Sequence, residues 1–157
     1  MIKYVLAFLI SMVPLIELRG GVPFALGMGI DYFPALVTCV IGNMLPVPII
    51  YFFARKFLLW GANKKYIGKL CGFFLVKGEK AGQKLTAKTG RYGLFMALLI
   101  FVGIPLPGTG AWTGTLGASF LNMGFKSTVL SVCLGVILAG IIMAVASTGV
   151  FSIIGLT

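Results

Sequence analysis

Four apolar runs dominate the chain, and two of them are long where the other two are cut short. Residues 32–54 and 127–154 can each cross a hydrocarbon core of about 30 Å, which takes about 20 residues at about 1.5 Å of rise per residue. Residues 4–16 and 94–104 yield only about 20 Å and about 17 Å of helix at the same rise, so neither crosses alone. The first short run gives way to Pro14-Leu15-Ile16-Glu17-Leu18-Arg19-Gly20-Gly21-Val22-Pro23, and the second to Pro105-Leu106-Pro107-Gly108-Thr109-Gly110. Ionisable groups and broken backbone are costly at bilayer depth and persist where protein or a water-lined cavity satisfies them. The two interruptions are therefore the candidate functional site.

Composition fixes the class. The chain has 157 residues, 59% of them hydrophobic and only 10% charged, with a mean hydropathy of +1.08, far outside the range of soluble domains. An integral membrane protein is expected. Histidine is absent, and Glu17, Asp31 and Glu79 are the only carboxylates. Histidine catalysis, metal cages and paired-carboxylate hydrolysis thus lack their side chains, so neither enzyme activity nor a metal or cofactor is expected. Cys39, Cys71 and Cys133 are widely spaced, without a CxxC pair, and read as small packing residues. Lys3 followed by apolar residues has the outline of a leader, but Glu17 stands where a cleavage site would follow, so the segment is read as mature protein.

Residues 55–91 hold ten of the thirteen basic residues and one acid, Glu79. The positive-inside rule makes this segment cytoplasmic. Lys77, Lys80, Lys84, Lys88 and Arg91 recur at steps of three or four, while Leu59, Tyr66, Ile67, Leu70, Phe73 and Phe74 form an apolar stripe. That pattern predicts interfacial helix on the anionic inner leaflet, with membrane lipid rather than nucleic acid as the partner. Trp60, Tyr66 and Tyr92 suit the inner interface, and Tyr4 and Tyr32, next to Asp31, the outer one.

Two topologies follow. Either residues 2–30 and 92–125 are re-entrant hairpins dipping in from opposite faces, or both are full spans and the chain crosses four times. Lys126 favours the hairpins and Lys3 the four spans. A faint repeat favours the hairpins: Pro14-Leu15 aligns with Pro105-Leu106, and, after a one-residue gap, Gly20 with Gly110 and Leu26-Gly27 with Leu116-Gly117. The expected fold is therefore an all-α membrane domain of two inverted repeats, each a hairpin plus a transmembrane helix, joined by the basic segment. In such plans the site lies at the midplane between repeats.

Glu17 and Arg19 are two apart and would point to different faces of a regular helix. Gly20-Gly21 is expected to end the helix, with Pro23 beyond, and an irregular tip would let both side chains face a shared cavity. Burial disfavours a charged carboxylate and a neighbouring guanidinium favours it, so proton affinity can be set near neutrality, as a coupling site needs. The plainer reading is a closed ion pair that holds the tip together. Across the chain, Pro105, Pro107 and Gly108 stop a helix and a new one is expected near Gly110, with Thr109, Thr113 and Thr115 close by. Its free N–H groups make a ready anion site, whereas Gly110-x-x-x-Gly114 reads first as a helix contact, and Trp112 as packing. In the first long span, Pro46 and Pro48 deprive the carbonyls of Gly42 and Met44 of helical donors beside Asn43. Gly135, Ala139 and Gly140 suit close packing of the last span.

Residues 16–23 (IELRGGVP), 42–48 (GNMLPVP) and 104–114 (IPLPGTGAWTG) resemble the small multidrug export proteins of prokaryotes, over nearly the whole chain. That family is in turn similar to the DedA/VTT membrane proteins. The resemblance implies the hairpin fold, a location in the prokaryotic cell membrane and a transporter-like role. DedA-like proteins usually carry a further arginine in the second tip, and this chain has none between Arg91 and Lys126, which puts a phosphate-bearing lipid substrate in doubt.

The expected function is a small secondary transporter of an anionic or amphipathic substrate. Glu17 would carry the coupling proton, Arg19, Thr109, Gly110 and Thr113 would hold an anionic group, and Asn43 would line the cavity. A lipid scramblase, a cation exporter and a non-transporting assembly factor are the rivals. Burying polar tips in so short a chain would also call for a second copy, hence a homo-oligomer.

Overall fold

In a computed structural model, residues 1–14, 16–64, 68–106 and 109–154 are described. Among them the chain is all helix: α1 Ile2–Met12, α2 Glu17–Gly27, α3 Tyr32–Met44, α4 Pro46–Ala62, α5 Gly68–Gly103, α6 Ala111–Phe120 and α7 Phe125–Ile154. Two stretches are long and apolar enough to span a membrane, Tyr32–Ala62 and Phe125–Ser147.

The first of these is α3 and α4 run together. Leu45 between them keeps a helical backbone (φ −62°, ψ −40°), and Pro46 stands at the first position of α4, where a missing N–H breaks no bond within that helix. Pro48 falls in the same first turn. The two prolines thus mark a junction rather than a stop, and the span continues past residue 54 to Ala62. In α5 the regular backbone breaks at Gly90 (φ 70°, ψ 174°), a conformation open to glycine because it lacks a Cβ. This kink separates the basic segment from an apolar arm ending at Gly103. The basic segment carries its apolar groups outward: Leu59, Trp60, Phe73 and Val76 are exposed, with Lys64 over the Trp60 ring and Lys77 over the Phe73 ring. Tyr66 and Ile67 of the expected stripe lie outside the described residues.

Helices α1 and α2 pack against each other and fold back, because Lys3 Nζ at the start of α1 donates to the Met28 carbonyl beyond the end of α2 (2.6 Å). The arm of α5 and α6 pair the same way. Gly114 lies beneath Leu98 and Val102, while Leu94 clusters with Ala118 and Met123. At the base of this second pair, Asn122 takes a left-handed turn (φ 57°), for which asparagine is better suited than most residues. Three bonds anchor that base to α4: Arg55 Nη1 donates to Asn122 Oδ1, Tyr51 Oη to the Met123 carbonyl (2.5 Å), and Ser119 Oγ to the Tyr51 carbonyl (3.1 Å).

Both pairs wrap α3 and α7. Gly42 on α3 meets α1 so closely that a Cβ there would stand 2.5 Å from the Phe8 carbonyl oxygen. On α7, Gly135 admits Val102 and the Leu99 carbonyl, and Gly140 admits Leu18 and Leu36. Leu18, Val22, Cys39, Val47, Val102, Val132 and Val136 form the buried centre. Outside it, Phe33, Val37, Ile41, Leu45, Ile49 and Phe53 make an exposed apolar stripe at steps of four, as do Leu130, Leu134, Leu138 and Ile142 on α7. Continuous stripes of this kind suit lipid or a second membrane protein as solvent, and not water.

The expected helix end at Gly20-Gly21 needs correction. Helix α2 runs through Gly20, Gly21 and Pro23, and the chain breaks earlier, between Met12 and Glu17. Glu17 itself turns the backbone, in a left-handed conformation (φ 49°) that is uncommon for a residue with a side chain and costs about 1 kcal/mol or more. Gly21 serves packing instead: a Cβ there would overlap Ser11 Oγ and stand 3.2 Å from Cys39 Sγ. Pro23 still removes one helical donor, that to the Arg19 carbonyl. Pro105 lies between α5 and α6 as expected. Pro107 and Gly108 fall outside the described residues.

Candidate functional site

The bend at Glu17 aims its carboxylate at the other helical pair. The backbone N–H of Ala111 donates to Glu17 Oε2 (3.3 Å) and that of Trp112 to Oε1 (3.1 Å), so the side chain caps α6 from across the molecule. These are two of the four N–H groups that a helix start leaves without internal acceptors, and the positive end of the helix dipole adds to the attraction. Gly110 makes the approach possible, since a Cβ there would overlap Glu17 Oε2 and lie 2.7 Å from its Cδ. Its backbone is extended (φ 167°), so space, and not conformation, calls for glycine. The Trp112 indole Nε1 donates back to the Met12 carbonyl (3.2 Å), tying the end of α1 to the start of α6.

Arg19, in the first turn of α2, also crosses over. Its Nη2 donates to Thr109 Oγ1 (2.6 Å), and the Thr109 hydroxyl in turn lies within bonding distance of the Ile104 and Leu106 carbonyls (2.8 and 2.9 Å). Among the described residues Glu17 and Arg19 form no direct ion pair. The alternative of a closed pair gives way to two separate contacts, each with the opposite tip: Glu17, at the left-handed bend, bonds to α6, and Arg19 to Thr109.

Between these contacts lies a small cavity of about 10 Å³ lined by Glu17, Leu18, Arg19, Asn43, Val102, Gly110, Ala111, Val136 and Ala139. At most one water fits such a volume. Asn43 is 2% exposed and its Oδ1 has no hydrogen-bond partner, although a buried amide oxygen without a donor is costly. Helices α2, α3, the start of α6 and α7 therefore converge on one point.

Of the residues singled out from sequence, Glu17, Arg19, Asn43 and Gly110 line this cavity and Thr109 holds Arg19. Thr113 does not join them. It faces the apolar groove between α5 and α6, with Leu98, Phe101 and Gly117. The free N–H groups expected at a helix start near Gly110 are those of Ala111 and Trp112, while the bond from the Trp112 indole to the Met12 carbonyl was not foreseen. A helix start near Gly110 signalled free donors, but nothing local in sequence says that the anion is Glu17.

Comparison with curated proteins and with solved structures gives no match. Residues 17–142 match the family described as "Putative small multi-drug export protein", a stretch that begins at Glu17 and includes Asn43, both tips and most of α7. With the match covering most of the sequence, and two helices long and apolar enough to span a bilayer, the chain belongs to this small multi-drug export family of membrane proteins.

Proposed function

We propose that this protein is a small secondary transporter whose substrate passes through a midplane site between the Glu17–Arg19 tip and the tip at residues 109–112. The family name gives export as the general role. One observation carries the finer reading: a carboxylate and a guanidinium from one broken segment bond to the other broken segment ninety or more residues away.

The positions of the two pairs support entry from opposite faces. The first closes at Lys3 and Met28, beside the start of α3, and the second is anchored to Tyr51 and Arg55. Tyr32 to Arg55 amounts to about 34 Å of helix, and Asn43 lies about 16 Å along it, near the middle. Re-entrant hairpins meeting at that depth, as inverted repeats, fit these spacings. The basic segment is then cytoplasmic against anionic lipid, and both termini are outside. An accessibility assay checks this: an impermeant reagent is expected to label a tag after residue 157 in intact cells, and labelling only after lysis would replace the hairpins with four spans.

A cavity of only about 10 Å³ suits alternating exposure better than the open groove that a scramblase needs. The partners are membrane lipids and a second copy, which the exposed stripes of α3, α4 and α7 can accommodate. Glu17 carries the coupling proton, and Arg19 with the start of α6 holds the anionic part of an amphipathic substrate. In proteoliposomes under an imposed proton gradient, Glu17→Gln is expected to lower gradient-driven flux by about a hundredfold or more, the scale of a lost general acid–base contribution. Unchanged coupled flux would remove Glu17 from the mechanism.

A further inference from the structure

The N-terminus of α6 is an anion site that already holds an anion. Ala111 and Trp112 present their N–H groups to a carboxylate, Gly110 leaves room for it, and Arg19 stands on the adjoining Thr109. The occupant is the protein's own Glu17, and the cavity beside it has no space for a second charged group. A substrate anion that uses these donors must first displace Glu17. The same cavity offers the displaced group a place to go: the Asn43 Oδ1, buried and without a donor, can accept a hydrogen bond from a protonated carboxyl but not from a carboxylate.

We infer that Glu17 is a tethered competitor for its own transport site, so that a substrate carboxylate or phosphate monoester binds the Ala111 and Trp112 N–H groups and Arg19 only when Glu17 takes up a proton and turns to Asn43. The inference rests on the proposed transport function and adds the sign of its coupling. One proton from the bulk neutralises the Glu17 carboxylate, one substrate negative charge takes its place, and the net charge of the site is unchanged. Anion and proton therefore travel together, as in symport, and not in exchange.

Arg19 is the charged group facing Glu17. Helix α6 carries no ionisable residue, Lys3 and Lys126 stand at the starts of α1 and α7, and the basic residues of α5, ending with Arg91, precede the part of its apolar arm that packs on α6. On α3 the Cys39 thiol faces Gly21 and not the carboxylate. A single proton uptake is thus expected to govern binding.

The test uses the full chain in lipid nanodiscs with Trp60→Phe, which leaves Trp112 as the only indole and a reporter inside the site. Decyl phosphate and decanoate are titrated as probes, with decyltrimethylammonium as the cationic control. Affinity for the two anions is expected to rise by about tenfold per unit fall in pH, the slope of one linked proton. Glu17→Gln, whose amide can still accept from α6 and donate to Asn43, is expected to bind them at least about tenfold tighter at pH 8 and without pH dependence, while Arg19→Gln weakens binding at every pH. Tighter decanoate than decyl phosphate would assign the site to carboxylates, and the reverse order to phosphates. Anion affinity that is pH-independent in the parent chain, absent throughout, or no tighter in Glu17→Gln would overturn the competitor role. If that happens while Glu17→Gln still abolishes gradient-driven flux, the transport reading stands and only this inference falls; if flux is also untouched, both fall.

Discussion

Gly110→Ala is expected to separate the two tips and to destabilise the protein by about 3 kcal/mol, from two charge-assisted hydrogen bonds at about 1.5–3 kcal/mol each, part of which relaxation recovers. The added methyl would occupy the position of Glu17 Oε2. The backbone at Gly110 is extended and accepts alanine without strain, so any effect is the displaced carboxylate. Thermal unfolding in detergent should show a clear fall in midpoint. Gly117→Ala on the same helix, where a Cβ meets nothing within 4 Å, should be neutral or slightly stabilising. Adding Glu17→Ala to Gly110→Ala should cost much less than the sum of the two changes, because both remove the same contact. Additive losses would show that the carboxylate does not sit on α6.

Gly42→Leu is expected to have a still broader effect, loss of the folded protein at ordinary expression temperature. Here the collision is with backbone: a Cβ would stand 2.5 Å from the Phe8 carbonyl oxygen and 3.2 Å from its carbon. A flexible side chain can swing aside at small cost, whereas a carbonyl inside α1 moves only if the helix moves. Overpacking of a tight contact costs about 1–3 kcal/mol even where neighbours can adjust, and here α1 would have to leave α3, taking the Met12 carbonyl from Trp112. Size-exclusion profiles should show aggregate in place of the native peak, with Gly42→Ala intermediate. A monodisperse, fully stable Gly42→Leu protein would mean that α1 and α3 are not in contact at this depth.

Both predictions concern glycines that the sequence marks for other reasons, Gly110 as a helix start and Gly42 as a carbonyl freed by Pro46, and not for the close approaches the structure shows. Other parts of the site were legible because their signal is local. Glu17 and Arg19 stand out since charge is rare in such a composition, and Asn43 since prolines follow it. Gly20, Gly21 and Pro23 misled for the same reason: they look like a helix end, yet tertiary packing uses Gly21 to seat Ser11 and Cys39, and the break moves ahead of them to Glu17. Thr113 shared the neighbourhood of Gly110 in sequence, but it lines the groove between α5 and α6 and not the cavity at Glu17.

The membrane class, the two long spans, the basic segment and the two interruptions were determined by sequence alone, because hydropathy, charge and helix breaking are properties of each residue and its neighbours. Only the tertiary structure decided that Glu17 caps α6 instead of pairing with Arg19, that Arg19 reaches Thr109, and that Asn43 lies beside both with an unfilled oxygen. These contacts join residues up to ninety-five positions apart, and their partners are backbone donors that every helix start possesses. Which anion meets which helix end is settled by how the segments pack, and no local pattern encodes it.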